Sequence, residues 1–313
     1  MKKYIALFLA LAMLLSGCAP IEKTDKDRLS VVCTIFPQYD WVRQILGGQS
    51  ARFDLTLLLN NTDLHNFQPS VGDIVKISDC DLFIYVGGES DRWVRDALAE
   101  AANPNMIAIS LLDELGAAAK EEKTLEGMPE EDEEAAYDEH VWLSLKNAQI
   151  FCVAIAEALS ALDVKNSAEY ADNLANYTDK LKALDRQYQE TVDAAAVNTL
   201  LFGDRFPFLY LTEDYGLTPF AAFPGCSAET EVNFETVIFL ASKIDQLGLH
   251  TILVTENADQ ALAQTIVRNT AEKNQQILVL DTMQAMTAAG IRNGTDYFSV
   301  MEHNLEVLRE ALQ

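Results

Sequence analysis

The sequence predicts an α/β protein in which two Rossmann-like lobes, each with a mostly parallel sheet, are joined by one long rigid spine helix. From residue 29 onward, short apolar runs alternate with amphipathic helical segments, an alternation typical of βαβ units. Residues 164–196 then carry a long helical pattern, and the alternation resumes at residue 197. A second lobe implies a cleft between the two, which is a preferred position for a small ligand.

The first 17 residues have the pattern of a secretory signal peptide. Two lysines follow Met1, an apolar stretch runs over Tyr4–Leu15, and small residues precede Cys18. This apolar stretch is too short for a typical membrane-spanning helix. Leu15–Cys18 resembles a bacterial lipoprotein cleavage box, which implies that Cys18 is the lipidated amino terminus and that residues 18–28 are a polar tether. The alternative is a plain signal peptide in which Cys18 is incidental.

The first lobe is predicted to occupy residues 29–163. We expect strands at 29–36, 51–59, 81–86 and 106–109, and helices at 37–46, 70–78, 91–102 and 146–162. Glycine pairs end the first helix and the third strand, as helix-stop and turn signals do. Cys33 and Cys80 lie in or beside strands of this lobe. They are therefore expected to be buried thiols or, in an exported protein, a disulfide, and the sequence leaves both open.

Acidic residues dominate the charge of the chain, whose formal net charge is −25. Such a surface repels nucleic acid and anionic membrane faces and attracts cations, so no nucleic-acid partner is expected. Acidic side chains are densest in the loop 120–139, a like-charge block that we predict to be disordered. Because this loop directly precedes His140, it is interpreted either as a device that gathers cations or as a solvated insertion.

The spine helix is predicted from one apolar stripe that no glycine or proline interrupts over residues 168–196. At about 1.5 Å per residue, such a helix is about 40 Å long and would traverse the whole molecule. The second lobe, residues 197–313, is predicted to have strands at 198–202, 218–223, 251–255 and 276–280. Its helices are expected at 206–215, 233–247, 259–273 and 296–312.

Two of the four histidines lie in polar motifs that follow or precede regular elements. His65 follows the apolar run Leu55–Leu59, at the carboxyl end of a predicted strand, where open α/β sheets bind ligands. His140 lies in Asp138–Ser144. A single loop histidine is usually a solvated surface residue, but two histidines with nearby carboxylates form a set that suits zinc and tolerates manganese.

These motifs identify a family. Thr62–Pro69, followed by Asp73–Asp79 and Asp81–Gly87, resembles the first ligand motif and strand of the solute-binding lipoproteins of bacterial zinc and manganese ABC importers, known as cluster A-I. Asp138–Ser144 resembles the second motif of that family, its Asp-x-His-x-Trp-Leu box. The resemblance covers essentially the whole mature chain, including the long helix.

The resemblance implies a metal site, a cargo and a partner. His65 and His140 are implied as metal ligands, and Asp281, at the end of Leu278–Asp281, matches a carboxylate ligand of the family. Zn²⁺ or Mn²⁺ is then the transported ligand rather than a catalytic cofactor. The implied partner is an ABC transporter permease, and the protein is expected to be a lipid-anchored monomer on the extracytoplasmic face of the cell membrane.

The third ligand position departs from the family pattern. Counting back from Tyr215–Leu217 in register reaches Arg205 where the family has His or Glu, and a guanidinium has no lone pair to give a metal. We predict that the neighbouring Asp204 is the ligand instead. The alternative for Asp204 is that it caps a helix that begins near Phe206.

Three other residues remain open as the third ligand. Glu229 and Glu231 lie in the loop Gly225–Glu231, and Glu231 could equally cap the helix that follows. Cys226 in the same loop could add a thiolate, although most cysteines are buried and inert. Metal ligands need partners that orient them; the candidates by sequence proximity are Asp63, Asp138 and Glu139.

Two other functions compete with metal transport. An exported metal-dependent hydrolase would need an open coordination position and a general base, for which Glu139 is the candidate, but no HExxH motif or serine triad is present. A surface adhesin on the same fold is the other alternative. The sequence contains no separate adhesion module, so we expect a non-enzymatic metal-binding protein.

Overall fold

The computed structural model describes four segments of the chain, residues 28–60, 62–128, 136–226 and 233–313. The predicted signal peptide, Cys18 and almost all of the tether lie outside the described residues. So do Glu229 and Glu231 and the most acidic part of the 120–139 loop.

The first lobe contains a four-stranded sheet in which every pair of neighbouring strands is parallel. Its strands are β1 (Leu29–Cys33), β2 (Phe53–Leu57), β3 (Leu82–Tyr85) and β4 (Ile107–Ser110), in the order β2-β1-β3-β4. Its helices are α1 (Phe36–Leu46), α2 (Val71–Asp79), α3 (Val94–Ala99), α4 (Leu111–Leu115) and α5 (Leu145–Leu162). The predicted strands are confirmed, and α4 was not predicted.

The second lobe repeats this topology. Its strands are β5 (Thr199–Phe206), β6 (Thr218–Pro224), β7 (Thr251–Val254) and β8 (Gln276–Val279), all parallel and in the order β6-β5-β7-β8. Its helices are α7 (Leu209–Tyr215), α8 (Phe234–Leu247), α9 (Ala261–Asn269), α10 (Ala288–Arg292) and α11 (Tyr297–Ala311). Because β1 and β5 hold equivalent central positions, the carboxyl edges of the two sheets carry corresponding loops.

The spine helix α6 (Ser167–Asp193) is confirmed, with 27 residues and a length of about 40 Å. Its buried stripe runs from Tyr170 to Tyr188 and packs against α5 and α1 in the first lobe. At its other end the Tyr188 hydroxyl donates to the carbonyl of Met301 in α11 at 2.6 Å. One continuous apolar core therefore includes residues of both lobes and the helix between them.

Two local predictions are wrong. Strand β5 continues through Phe206 and α7 begins only at Leu209, so Asp204 lies within a strand and does not cap a helix. The two ends of the acidic loop are also not disordered, because the Glu122 N–H donates to Ala136 at 2.8 Å and the Asp138 N–H to Lys120 at 2.9 Å. These backbone bonds join the chain on either side of the segment that is not described.

None of the four cysteines in the described part of the chain belongs to a disulfide. Cys33 and Cys80 are fully buried. Burial, and then the neighbouring Cys80, raise the pKa of the Cys33 thiol. The disulfide that the sequence left open is absent from the structure.

Candidate metal centre

The two histidine motifs meet at one point. His65 lies in the short 3-10 turn Leu64–Asn66 after β2, and the Asp63 carboxylate fixes this turn by accepting the His65 N–H at 2.9 Å. His140 immediately precedes a similar turn, Val141–Leu143, which leads into α5. The Nε2 atoms of His65 and His140 lie 3.2 Å apart.

The far side of the His65 ring is held by two groups of the first lobe. Its Nδ1 lies 2.9 Å from the Ser90 hydroxyl and 3.6 Å from Glu139 Oε2. The Glu139 carboxylate is itself fixed because Oε1 accepts the Ser90 N–H at 2.7 Å. Gly88 makes room for it, since a Cβ at this position would lie only 2.5 Å from Glu139 Oε1. The Nε2 atom of His65 is therefore directed away from these partners.

His140 is fully buried and is oriented by the carboxylate two residues before it. Asp138 Oδ1 accepts the backbone N–H of His140 at 2.8 Å and lies 3.1 Å from its Nδ1. The indole of Trp142 stands beside the ring, with 5.4 Å between ring centroids. Carboxylate–histidine pairs of this kind fix the ring and make the other nitrogen a better metal ligand.

The two imidazoles differ in their affinity for protons. Burial and the neighbouring His140 lower the pKa of His65 to about 4. Burial also acts to lower the pKa of His140, but the charges of Asp138, Glu139 and Glu122 outweigh it, so this pKa lies above the usual value. His65 thus keeps a free lone pair at neutral pH, and the surrounding carboxylates create a negative environment that favours a cation at His140.

The second lobe contributes Gln284. Its Nε2 lies 2.8 Å from Nε2 of His140 and 3.3 Å from Nε2 of His65. The segment before it is clamped, because Thr282 donates to the Glu256 carboxylate and its carbonyl accepts the Trp142 indole N–H at 2.8 Å. Sequence reasoning missed Gln284, although its place just past the carboxyl end of β8 is the signal that could have identified it.

Cys226 joins the two histidines from the turn that follows β6. Among the described residues, His65, His140 and Cys226 form a group whose ligand atoms all lie within 4.8 Å of one another. The turn can approach this closely because residue 225 is glycine: a Cβ there would lie 2.8 Å from the carbonyl of Phe206 and 3.1 Å from Cε1 of His140. The Cys226 N–H donates to Glu122 Oε1 at 2.8 Å.

The two predicted carboxylate ligands are engaged elsewhere. Asp204 Oδ2 accepts the Thr255 N–H at 3.0 Å and the Thr255 hydroxyl. Asp281 Oδ1 accepts the Met283 N–H at 2.7 Å. Within the part of the chain that is described, neither belongs to the 4.8 Å group, although Asp204 lines an adjoining cavity of about 170 Å³. Their role as ligands stays a prediction, one that requires each carboxylate to leave these hydrogen bonds.

Arg205 forms an ion pair across the two lobes. Its Nη1 lies 3.9 Å from Asp63 Oδ2, and both side chains are 28% exposed. Its charge is close enough to His65 to act against protonation of that ring. Arg205 therefore stands near the imidazoles as a fixed positive charge.

Comparison with known proteins gives consistent results over nearly the whole chain. The family model described as ZnuA, zinc-uptake complex component A periplasmic, matches residues 31–311. The chain is 30% identical to the zinc-binding lipoprotein AdcA of Streptococcus pneumoniae, over 99% of this chain and 61% of AdcA. It is 28% identical to the high-affinity zinc uptake system protein ZnuA of Bacillus subtilis, over 99% of this chain and 98% of that protein.

The solved structures agree with the fold. Zn(II)-bound AdcA from Streptococcus pneumoniae superposes with a TM-score of 0.72 at 28% identity, over 91% of this chain and 58% of AdcA. The chain thus spans about three fifths of the length of this relative. The laminin-binding protein Lmb of Streptococcus agalactiae has a TM-score of 0.72 at 22% identity, over 91% of this chain and all of Lmb (100%), which is a likeness of fold alone.

Proposed function

Because the chain belongs to the family of periplasmic zinc-uptake components A, we propose that it is an extracytoplasmic solute-binding protein that captures Zn²⁺ between its lobes and delivers it to an ABC importer. One observation carries the proposal: the Nε2 atoms of His65 and His140 lie 3.2 Å apart. Two imidazoles on one tetrahedral zinc, each bound at about 2.0–2.1 Å, have their nitrogens about 3.3–3.4 Å apart. The pair is thus spaced for one shared ion.

The surroundings of the pair support metal capture. Each Nδ1 faces a hydrogen-bonding partner of the first lobe, so both Nε2 lone pairs are presented to the same point. Gln284 reaches that point from the second lobe. An ion bound there would join the lobes, and its release to a permease would require them to separate.

Zinc is the cargo that this set of atoms favours. Imidazole nitrogen suits zinc, whereas manganese prefers carboxylate, carbonyl and water oxygens. The names of the relatives point the same way, since AdcA is a zinc-binding lipoprotein and the Bacillus subtilis protein belongs to a zinc uptake system. Manganese, the other cargo consistent with the sequence, is accordingly expected to bind more weakly.

Anchoring of the protein beside its permease is part of the proposal. The Leu15–Cys18 box would place a lipid on Cys18, and residues 18–28 would connect it to the folded lobes. AdcA is named a lipoprotein, in accord with this arrangement. Labelling with a fatty acid analogue in the bacterial membrane should be lost in a Cys18→Ala chain and kept in a Cys152→Ala chain.

A hydrolytic role is disfavoured by the orientation of Glu139. The carboxylate that a hydrolase would use as its base accepts from Ser90 and faces Nδ1 of His65. It therefore lies behind the imidazole, on the side away from the Nε2 atoms where an ion and its water would be.

Isothermal titration of the mature full chain with Zn²⁺ and Mn²⁺ tests the function. We expect the His65→Ala/His140→Ala double variant to lose zinc binding at the concentrations where the unchanged chain saturates. The exposed His250 supplies the matched control, His250→Ala. Zinc binding that is undiminished in the double variant would refute the proposal.

A further inference from the structure

A ligand from the second lobe is missing at the position where the family resemblance implies one. Arg205 occupies that position, and a guanidinium has no lone pair to donate. Its charge is directed to Asp63 of the first lobe. If zinc binds between the lobes as proposed above, the second lobe has to supply its ligand from another place in the fold.

Cys226 lies where a ligand from the second lobe is needed. It is the one second-lobe member of the His65–His140–Cys226 group found among the described residues, and its sulfur lies within 4.8 Å of an imidazole nitrogen of each histidine. Sulfur bound at about 2.3 Å and nitrogen at about 2.0–2.1 Å of a tetrahedral zinc lie about 3.6 Å from each other. A shift of about 1.2 Å or less by the Cys226 side chain therefore brings it into the coordination sphere.

The Cys226 sulfur is also held toward the histidines. Burial and the carboxylates of Glu122, Asp138 and Glu139 raise the pKa of this thiol in the metal-free protein, while the backbone N–H of Glu139, the residue before His140, donates to the sulfur and acts to lower it. The Cys226 N–H is fixed on Glu122 at 2.8 Å. The turn lies directly against the His140 ring, because a Cβ added at Gly225 would be only 3.1 Å from Cε1 of that ring. A sulfur that accepts a backbone N–H beside a metal ligand has the outer partner that metal-bound thiolates need.

We propose that Cys226 binds the captured ion as a thiolate, so that the site is His65, His140 and Cys226, with Gln284 facing the fourth position. The S–H bond breaks as the metal–sulfur bond forms, and the proton is released to solvent. This inference rests on the proposed function of metal capture and gives the site a chemical class. A thiolate selects soft and borderline cations such as Zn²⁺, Cd²⁺ and Cu⁺ and disfavours Mn²⁺. The cargo is accordingly a thiophilic metal, and the site is not one for manganese.

X-ray absorption at the zinc edge, on the mature full chain loaded with one Zn²⁺ under reducing conditions, tests this inference directly. We expect one sulfur at about 2.3 Å among nitrogen or oxygen ligands at about 2.0–2.1 Å. The sulfur should vanish in Cys226→Ser and persist in Cys152→Ser. Cobalt loading offers a second signature, because a thiolate ligand gives a sulfur-to-cobalt charge-transfer absorption in the near ultraviolet.

Zinc affinity should fall by more than about 100-fold in Cys226→Ser, since removal of an outer partner alone costs about 10–100-fold. Cys226→His should recover much of that loss, because imidazole is also a zinc ligand. Thermal unfolding of the metal-free variants separates this effect from misfolding. A zinc shell without sulfur in the unchanged chain, with binding that still requires His65 and His140, would overturn the thiolate and leave the proposed function standing. Zinc binding that is unchanged when both histidines are replaced would refute the proposed function itself.

Discussion

His65 and His140 are 75 residues apart in the chain, yet their Nε2 atoms lie within 3.2 Å. Two structural units bring them together. One is the turn after β2, which Asp63 fixes, and the other is the turn before α5, which Asp138 fixes. Each aspartate precedes its histidine by two residues and accepts that histidine's backbone N–H. The two motifs are therefore built by the same local device, used once at each side of the site.

Asp138→Asn should weaken zinc binding by about 10–100-fold, as loss of an outer carboxylate partner does. The Asp138 carboxylate lies 3.1 Å from Nδ1 of His140 and supplies charge that favours a cation there. The amide retains an oxygen for the backbone N–H but lacks the charge. Calorimetric titration with Zn²⁺ measures the change, and Asp179→Asn on the exposed face of α6 is the control. An unchanged affinity would show that Asp138 serves only the turn.

Gly225→Ala should lower both stability and zinc affinity. The added Cβ would lie 2.8 Å from the carbonyl oxygen of Phe206, which is backbone and has little freedom to move. Overpacking of this kind costs about 1–3 kcal/mol, and relief by movement of the turn would carry Cys226 away from the histidines. Urea unfolding and zinc titration measure the two effects. Gly72→Ala is the control, because its Cβ would find its nearest neighbour at 3.6 Å.

The buried Asp40 should make the metal-free protein less stable as pH rises from about 4 to about 6. Burial raises the pKa of Asp40 from 3.8 to about 6, so in this interval the unfolded chain ionises while the folded chain holds its proton. The stability that comes from holding the proton on the folded Asp40 is fully present below pH 3.8 and is lost as pH rises through about 6. Two pKa units correspond to about 3 kcal/mol.

Asp40→Asn should remove this part of the pH dependence. The amide oxygen can still accept the Tyr297 N–H that Asp40 Oδ2 accepts at 3.0 Å. Urea unfolding at a series of pH values gives the difference between the two proteins. The free energy of unfolding of the variant, minus that of the unchanged protein, should rise between about pH 4 and about pH 6 and stay constant above about pH 6. A difference that does not change with pH would show that Asp40 ionises equally in both states.

Arg205→Gln should tighten zinc binding. The guanidinium lies near enough to His65 to oppose a positive charge there, and it opposes a divalent ion more strongly. The Asp63 ion pair that is lost is partly exposed and is worth about 0–1 kcal/mol. Titration at low and high salt measures the gain, which should shrink with screening. Arg186→Gln on the exposed side of α6 is the control, and a weaker affinity in Arg205→Gln would mean that the ion pair positions the His65 turn.

The sequence predicts the architecture, which the structure confirms, and two histidines of the candidate site, which the structure brings to within 3.2 Å of each other. Apolar periodicity predicts both parallel sheets and the spine helix because burial of those faces is what forms them. His65 and His140 are recognisable because their motifs are local. The surroundings of Asp204 were not predicted, because β5 extends two residues past it and its carboxylate accepts from Thr255; its role as a ligand stays a prediction.

Cys226 and Gln284 could not be ranked from the sequence. Their place in the site depends on how closely two loops approach across the cleft, which follows from a missing Cβ at Gly225 and from the clamp of Thr282 on Glu256. Such distances are set by packing between segments that are far apart in the sequence, so the spacing of residues along the chain does not predict them.

Gln284→Glu should raise zinc affinity, and Gln284→Ala should lower it. The Gln284 amide of the second lobe reaches both imidazoles, with its nitrogen 2.8 Å from Nε2 of His140 and 3.3 Å from Nε2 of His65. An amide that rotates about its last bond would present its oxygen to an ion at that point as a neutral ligand. A carboxylate at the same position is a charged ligand that zinc prefers.

A glutamate at position 284 would also lie among other carboxylates in the metal-free protein. The gain in zinc affinity should therefore be accompanied by a lower stability of the protein without zinc. Titration and thermal unfolding with and without Zn²⁺ check both parts, with Gln149→Glu on α5 as the control. Equal affinities for the three residues at 284 would place the fourth ligand elsewhere and return Asp281 as the candidate.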